Sequence, residues 1–162
     1  MLAGALLIQL IARPLEKPHG RPTEPENREK YRHFVTITTR WMDNDIYGHI
    51  NNVQYYSYFD TAVNRYLIEK GVLDIHAGEV IGFVVETQCN YFSAAAFPDD
   101  IEAGIRVAHL GRSSVRYEVG LFVKNRDEAV AQGHIVHVYV DRRTQQPVEL
   151  PGAFRQVLSI LQ

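Results

Sequence analysis

The pattern of apolar and polar positions predicts one long helix among several strands. Residues 34–41 alternate apolar and polar-tolerant positions, which is typical of a strand with one buried face. Residues 52–70 place apolar side chains at helical spacing, and Lys70 and Gly71 then supply a basic last turn and a C′ glycine. Further apolar runs predict four strands and a short closing helix, at residues 80–92, 100–110, 113–124, 128–141 and 151–161.

The short connections between the last four strands decide how these strands pair. Neighbouring strands must run antiparallel, because a parallel pair needs a crossover of about a dozen residues or more. The order strand, long helix, four strands therefore predicts an α+β fold, in which a five-stranded antiparallel sheet wraps a long central helix. Residues 80–92 and 113–124 are apolar at positions on both sides of the sheet. One side covers the helix, and the other needs a partner, so we expect a homo-oligomer.

The first 30 residues differ in composition from the remainder of the chain. An apolar run at residues 2–12 is shorter than the roughly 20 residues of a membrane span. It is either a short helix that docks on a partner subunit or the product of a misassigned translation start. Residues 13–30 follow with many charges and four of the chain's seven prolines. This composition predicts a flexible arm at residues 1–30 and a single domain at residues 31–162.

Composition and charge limit the partners and the location. The 162 residues suit one domain, and a hydrophobic content of 46% can fill its core. The net charge of −2 offers no electrostatic basis for binding nucleic acid or an anionic membrane. Cys89 is the only cysteine, so the chain forms no internal disulfide and a cytoplasmic location is expected. Its position in an apolar run predicts packing rather than a nucleophilic role.

Residues 43–52, with the sequence DNDIYGHINN, place groups that can carry chemistry directly before the predicted helix. With Trp41 they form the pattern aromatic-x-Asp-x-Asp-x-x-Gly-His-hydrophobic-Asn-Asn. This pattern, the YYSYFDTA stretch at residues 55–62 and the LGRSSVRYEV stretch at residues 110–119 resemble the 4-hydroxybenzoyl-CoA thioesterase-like acyl-CoA thioesterases. The resemblance covers roughly residues 33–150. It implies the hotdog fold, hydrolysis of acyl-CoA thioesters, and dimers that often pair into tetramers. Coenzyme A is part of the substrate, and no separate cofactor is implied.

The resemblance implies a catalytic role for Asp45 and for the backbone N–H of Asn52. In thioester hydrolysis the carbonyl oxygen gains negative charge, which a fixed N–H donor stabilises. If Asn51 is the N-cap, Asn52 is the first helical residue and its N–H has no partner within the helix. Gln54 would then complete a variant of the capping box. Gly48 permits a tight turn that returns Asp45 to the helix end. Asp45 could act as a general base or as a nucleophile, and the sequence leaves both open.

Most of these polar residues also have a structural interpretation. Asp43 and Asp45 could cap turns, and Asp60 could be a buried acid with a satisfied hydrogen bond. Arg112, Lys124 and Arg126, predicted at neighbouring strand ends, either bind the phosphates of coenzyme A or are solvated charges. The candidate contacts for the substrate and coenzyme A are polar residues of loops and strand ends: Tyr47, His49, Arg112, Ser113, Ser114, Lys124 and Arg126.

The sequence also bears on a possible metal site and on two alternative functions. His134 and His137 are three residues apart on a predicted strand, so they face opposite sides and cannot share a metal ion. We therefore expect no metal site.

Asp45 with His49 invites comparison with hotdog enoyl-CoA hydratases or dehydratases. A non-catalytic acyl-CoA-binding protein is the other alternative.

Overall fold

The computed structural model describes residues 24–162, so the apolar run at residues 2–12 lies outside the described part. Five strands form one sheet in the order β1-β3-β4-β5-β2, and all neighbours in it are antiparallel. The elements are β1 (His33–Thr38), α1 (Asn52–Glu69), β2 (Val80–Tyr91), β3 (Asp100–Leu110), β4 (Ser114–Val123), β5 (Ala131–Asp141) and α2 (Gly152–Ser159). This architecture confirms the predicted α+β fold. Within residues 24–162, no helix has both the length and the apolar character that crossing a bilayer requires.

Helix α1 begins and ends where the sequence predicts. Asn51 has extended dihedral angles of −59° and 138°, and its side chain accepts a hydrogen bond from the backbone N–H of Val53 at 3.2 Å. The predicted capping box is not formed, because the N–H of Gln54 donates instead to the carbonyl oxygen of Asn51. Gly71 follows the helix with a φ of 70°, the left-handed conformation expected of a C′ glycine.

The hydrophobic core lies between α1 and one face of the sheet, which we call the inner face. On α1, Phe59, Ala62 and Val63 have no exposed surface. They pack against inner-face side chains such as Ile105 of β3 and Val119 of β4. Such burial contributes about 1.5–3 kcal/mol per large apolar side chain, so packing rather than intrinsic helix propensity holds α1 in place.

The opposite, outer face of the sheet is mixed, so the prediction that residues 113–124 are apolar on both sides holds only in part: Phe122 packs there against Tyr31 and Ala129, whereas Arg116 and Glu118 of the same strand are polar. Glu118 of β4 accepts a hydrogen bond from Arg106 of β3 at 2.6 Å, and Arg106 also pairs with Glu26 at 3.0 Å. Tyr31 lies flat over two neighbouring strands, where an added methyl group on Gly104 or Gly120 would come within 2.9 Å or 2.5 Å of it.

Residues 26–31 pack on this outer face, which corrects the predicted arm. The backbone N–H of Ala129 donates to the carbonyl oxygen of Glu26 at 3.0 Å, and the N–H of Arg28 donates to the carbonyl oxygen of Asp127 at 3.0 Å. These residues therefore belong to the folded domain, and the boundary predicted at residue 31 falls several residues too late. The same pairing shortens β5, which begins at Ala131 rather than at the predicted residue 128.

The end of β1 also differs from the prediction. β1 ends at Thr38, and the chain then turns through a short 3-10 helix at Trp41–Asp43, so Trp41 is not a strand residue and is 83% exposed.

Arg112 precedes β4, whereas Lys124 and Arg126 follow it. β4 has 10 residues, which corresponds to roughly 30 Å. The prediction that these three basic residues occupy neighbouring strand ends is therefore wrong.

Strand β2 forms one edge of the sheet and exposes apolar side chains. Among residues 24–162, β5 is the only strand that is hydrogen-bonded to it. Phe83, Val84 and Val85 are 40%, 48% and 59% exposed, and a β-bulge interrupts the register between Val84 and Glu86. An unpaired apolar edge of this kind favours association with another chain.

Candidate active site

The loop before α1 folds back on itself and brings Asp45 beside the helix start. The N–H of Asp45 donates to the carbonyl oxygen of His49 at 2.8 Å, and the N–H of Gly48 donates to the carbonyl oxygen of Asp45 at 3.0 Å. Gly48 has a φ of 81°, which a residue with a side chain adopts only at a cost. The N–H of Asn51 donates to the carbonyl oxygen of Asp43 at 2.8 Å, so the loop is closed by backbone hydrogen bonds.

Asp43 holds this loop in place and is not open to a substrate. Its side chain is 1% exposed and accepts hydrogen bonds from the Arg40 backbone and guanidinium and, at 3.0 Å, from the Tyr58 hydroxyl. Burial raises the pKa of the Asp43 carboxyl, but the hydrogen bonds from Arg40 and Tyr58 outweigh it, so the pKa lies below its ordinary value. Of the two roles considered for Asp43, the geometry supports the structural one.

Asp45 is partly exposed and has one carboxylate oxygen uncommitted. Its Oδ1 accepts a hydrogen bond from the backbone N–H of Tyr47 at 2.8 Å, as expected of an aspartate that caps a turn. Within residues 24–162, no group donates to its Oδ2. The turn therefore fixes the orientation of the carboxylate and leaves one oxygen available for chemistry.

The backbone N–H of Asn52 is the first donor of α1. Asn52 is the first residue of the helix, and no described residue accepts a hydrogen bond from its N–H. The positive end of the helix dipole lies at the same point. Tyr91 of β2 donates its hydroxyl hydrogen to the carbonyl oxygen of Asn52 at 3.1 Å, which ties the helix start to the end of this strand.

A cleft of about 340 Å³ opens at this helix start. It is lined by residues of the loop, of α1 and of the connection after β2: His49, Ile50, Asn52, Tyr55, Tyr91, Phe92, Ser93 and Ala94. Asp45 adjoins the cleft without lining it. The two are joined through the backbone, because the N–H of Asp45 donates to the carbonyl oxygen of His49, and His49 lines the cleft.

Sequence reasoning missed the half of the cleft that comes from residues 91–94. The N–H of Ile50 donates to the carbonyl oxygen of Ala95 at 2.8 Å, and the N–H of Phe97 donates to the Asn44 side chain at 3.0 Å. These contacts join segments more than 40 positions apart, which periodicity does not reveal. The only local signal is the aromatic pair that ends the strand, Tyr91 and Phe92.

The predicted contacts for coenzyme A divide between the two ends of β4. His49 lines the cleft, and Tyr47 is 83% exposed nearby. Arg126 lines an adjoining depression of about 720 Å³ that shares Phe92 and Ser93 with the cleft. Lys124 lies at the same end, 3.6 Å from Asp100.

The remaining three predicted contacts lie at the far end of β4. The side chain of Arg112 is 83% exposed and lies 3.5 Å from Glu149. Ser113 and Ser114 mark the start of the strand, and the carbonyl oxygen of Ser113 accepts a hydrogen bond from the N–H of Tyr139. Within one chain, Arg112 and Lys124 cannot contact the same phosphate group.

The two histidines face opposite sides of the sheet, as predicted. His134 contacts Arg116 and Glu86 on the outer face, and His137 contacts Tyr117 on the inner face. Among residues 24–162, no group of three His, Cys, Asp or Glu side chains is placed to hold a metal ion. Cys89 packs against the core, as predicted, and burial raises its pKa to about 11.

No hydrogen bond joins the Asp45 and His49 side chains anywhere in the described part of the chain. The pair that invited comparison with a hydratase is therefore not formed.

Comparison with known proteins identifies the family. The model of the Thioesterase-like superfamily matches residues 39–158. The PA5185 protein of Pseudomonas aeruginosa strain PAO1 is 58% identical over 85% of this chain and 96% of its own, with a TM-score of 0.84. A thioesterase of Thermus thermophilus, solved with coenzyme A and Zn, is 29% identical over 82% of this chain and 96% of its own, with a TM-score of 0.69.

A more distant structure shares the fold. The 1,4-dihydroxy-2-naphthoyl-CoA thioesterase Slr0204 of Synechocystis is 13% identical over 78% of this chain and 94% of its own, with a TM-score of 0.70. No curated protein matches the chain. The family match spans the loop of Asp45, all of α1 and four of the five strands. The chain therefore belongs to the thioesterase-like superfamily and is a thioester hydrolase with the hotdog fold.

Proposed function

We propose that the chain hydrolyses acyl-coenzyme A thioesters to a free acid and coenzyme A. The observation that carries this proposal is the backbone N–H of Asn52, which lies at the start of α1 beside a cleft and donates to no residue of 24–162. The Thermus thermophilus relative is a thioesterase complexed with coenzyme A, which supports the choice of substrate. No cofactor is needed for this reaction, because water is the second reactant.

The reaction uses the helix start and the neighbouring carboxylate. The thioester oxygen accepts a hydrogen bond from the N–H of Asn52, and this donor stabilises the negative charge that develops on the oxygen. Asp45 takes a proton from water as the water oxygen attacks the carbonyl carbon, or it attacks that carbon itself to form an anhydride that water then cleaves. In both routes the carbon–sulfur bond breaks, and the thiolate of coenzyme A takes up a proton.

The first experiment follows release of free thiol from a panel of aliphatic and aromatic acyl-CoAs. Wild-type protein should release coenzyme A from at least one of them. Binding without release would instead indicate a non-catalytic acyl-CoA-binding protein, and a change in enoyl absorbance would indicate a hydratase.

Asn52→Pro then tests the N–H donor directly. Proline is tolerated at the first helical position, and the extended dihedral angles of Asn51 are those that a following proline requires. The helix should survive while the donor is lost, so turnover should fall about 10²–10³-fold. Asn52→Ala is the matched control, because it keeps the N–H and should be far more active. Equal activity of the two variants would place the carbonyl elsewhere.

We also propose that the active protein is a homodimer, or a tetramer of paired dimers, joined through the exposed edge of β2. Wild-type protein should scatter light as a dimer or larger at micromolar concentration. Val85→Lys places a charge on the apolar edge, where Val85 is 59% exposed, and should shift the protein towards monomer with loss of activity. Ile160→Lys alters a side chain that is 65% exposed on the far side of the fold and should change neither property. A fully active wild-type monomer would contradict the proposal.

A further inference from the structure

The hydroxyl group of Tyr91 binds the peptide that directly follows the candidate N–H donor. It donates to the carbonyl oxygen of Asn52 at 3.1 Å. In an α-helix this oxygen also accepts from the N–H four residues further on, so the hydroxyl occupies the second lone pair. The two residues are 39 positions apart, one in α1 and one in β2. The hydrogen bond therefore fixes the helix start relative to the sheet rather than to its own loop.

The neighbouring backbone groups of the first helical turn are also bound. The N–H of Val53 donates to the Asn51 side chain at 3.2 Å, and the carbonyl oxygen of Asn51 accepts from the N–H of Gln54 at 2.9 Å. Among the four N–H and C=O groups of the two peptides that flank Asn52, only its own N–H lacks a partner within residues 24–162. A donor held in this way needs no reorganisation when charge develops on the atom that it faces.

Tyr91 is itself held from two sides. It is the last residue of β2 and is paired with Ala131 of β5. The next two N–H groups along the chain both donate to the carbonyl oxygen of Val130, at 2.9 Å and 3.2 Å. The Tyr91 ring packs edge-on against Tyr55 of α1, with centroids 5.0 Å apart. The sheet therefore sets the position of the phenol, and the phenol sets the position of the helix start.

The Tyr91 phenol remains a hydrogen-bond donor at neutral pH. Burial is the main cause that raises the pKa of Tyr91 above its ordinary value, which is about 10. The hydroxyl therefore keeps its hydrogen and donates it to the carbonyl oxygen of Asn52. A phenol with a raised pKa is also a poor proton donor in catalysis, so this geometry favours positioning over acid catalysis.

No other side chain of residues 24–162 bonds to the carbonyl oxygen of Asn52. Asp60 is the first acidic residue of α1 and lies about two turns beyond Asn52. Its side chain is 55% exposed and accepts a hydrogen bond from Asn64 of the same helix at 3.0 Å, so it is not the buried acid that the sequence suggested. Within the described part of the chain, Tyr91 is thus the only side chain that links Asn52 to the sheet.

Resting on the proposed acyl-CoA hydrolysis, we propose that Tyr91 is a positioning residue for the N–H of Asn52. Its hydroxyl holds the peptide after Asn52, so that the N–H points to the place where the thioester oxygen gains charge. A donor aimed at that oxygen stabilises the transition state more than the bound substrate. Loss of the hydroxyl should therefore lower kcat and kcat/KM by the same factor and leave KM nearly unchanged.

Tyr91→Phe removes the hydroxyl and keeps the ring that packs on Tyr55. We expect kcat to fall about three- to tenfold, as the loss of one neutral hydrogen bond implies, with KM changed less than about twofold. Tyr66→Phe is the matched control, because the Tyr66 hydroxyl donates to another backbone carbonyl, that of Val157, at 2.8 Å. This control should leave the turnover per folded molecule unchanged, whatever its melting temperature.

A double-mutant cycle tests whether Tyr91 acts through the N–H of Asn52. Asn52→Ala keeps this N–H, so adding Tyr91→Phe should cost as much activity as it does in the wild type. Asn52→Pro has no N–H to position, so adding Tyr91→Phe should cost less than about twofold. A hydroxyl that touches the substrate directly would cost the same in both backgrounds, and that result would overturn the proposal.

The pH profile supplies an independent measurement. The curve of kcat against pH should keep its shape in Tyr91→Phe, because the wild-type phenol holds its proton throughout. Loss of one limb of the curve would show that Tyr91 transfers a proton, which contradicts a positioning role. An active wild type with an unimpaired Tyr91→Phe variant would overturn this inference alone. A wild type that cleaves no acyl-CoA would overturn the proposed function as well.

Discussion

Asp43 and Asp45 are two residues apart and chemically identical, yet they occupy opposite environments. Asp43 is 1% exposed and accepts hydrogen bonds from Arg40 and Tyr58 with both oxygens. Asp45 is partly exposed and commits one oxygen to the N–H of Tyr47. The first carboxylate is saturated and holds the loop, and the second is oriented by the loop and remains able to react. The difference shows that the hydrogen bonds each aspartate accepts, rather than its place in the motif, determine what it can do.

The largest difference between the two aspartates should appear in catalysis. Asp45→Asn keeps the shape of the turn but removes the proposed base or nucleophile, so turnover should fall by about 10²–10⁴-fold with little change in melting temperature. Asp74→Asn is the matched control, because Asp74 also caps a turn, accepting from the N–H groups of His76 and Ala77, away from the cleft. An Asp45→Asn variant that keeps more than about a tenth of the wild-type turnover would rule out the catalytic role.

Asp43→Asn should show the opposite balance. The amide cannot satisfy the donors of Arg40 and Tyr58 together, and its own NH₂ group faces them, so the free energy of unfolding should fall by about 1–3 kcal/mol. Turnover per folded molecule should change much less than in Asp45→Asn, since the backbone bond from Asn51 to Asp43 remains. Denaturant unfolding measured beside single-turnover kinetics checks both expectations. A stable but inactive Asp43→Asn variant would reverse the roles assigned to the two residues.

The smallest expected effect is on how the free energy of unfolding changes at acidic pH. The pKa of Asp43 is lowered overall, because hydrogen bonds from Arg40 and Tyr58 outweigh the opposing effect of burial. A carboxyl whose folded pKa lies below its unfolded value stabilises the fold above about pH 4, and this contribution is lost as the pH falls through the folded pKa. The stability of the wild type should therefore decline more steeply below about pH 4 than that of Asp43→Asn. Parallel profiles in urea titrations at several pH values would show that Asp43 contributes no such linkage.

The sequence predicts best where local chemistry and long-range packing agree. The bounds of α1 are correct within a residue, since Asn51 caps one end and Gly71 terminates the other. The predicted β1 extends to Trp41 because the alternation continues past Thr38, but the Arg40–Asp43 hydrogen bonds turn the backbone there. Periodicity describes side chains and does not detect where a ladder of backbone hydrogen bonds stops.

The candidate site shows the same limit. The motif locates Asp45 and Asn52, because their proposed roles depend on a turn and a helix end that are local in sequence. The opposite wall of the cleft comes from residues 91–94, which reach it through hydrogen bonds made by Ile50 and Phe97. Only the fold brings such residues together.

The packing of Tyr31 on Gly104 and Gly120 has a consequence for how the protein can be shortened. The ring fills the space that two absent side chains leave on adjacent strands, and an added methyl group on Gly120 would lie 2.5 Å from it. A truncated protein that starts beyond Tyr31 would expose this bare strip of sheet and remove the carboxylate of Glu26 from Arg106. Proteolysis should therefore trim the chain no further than the residues before Glu26, and any minimal version for expression or crystallisation needs to begin there.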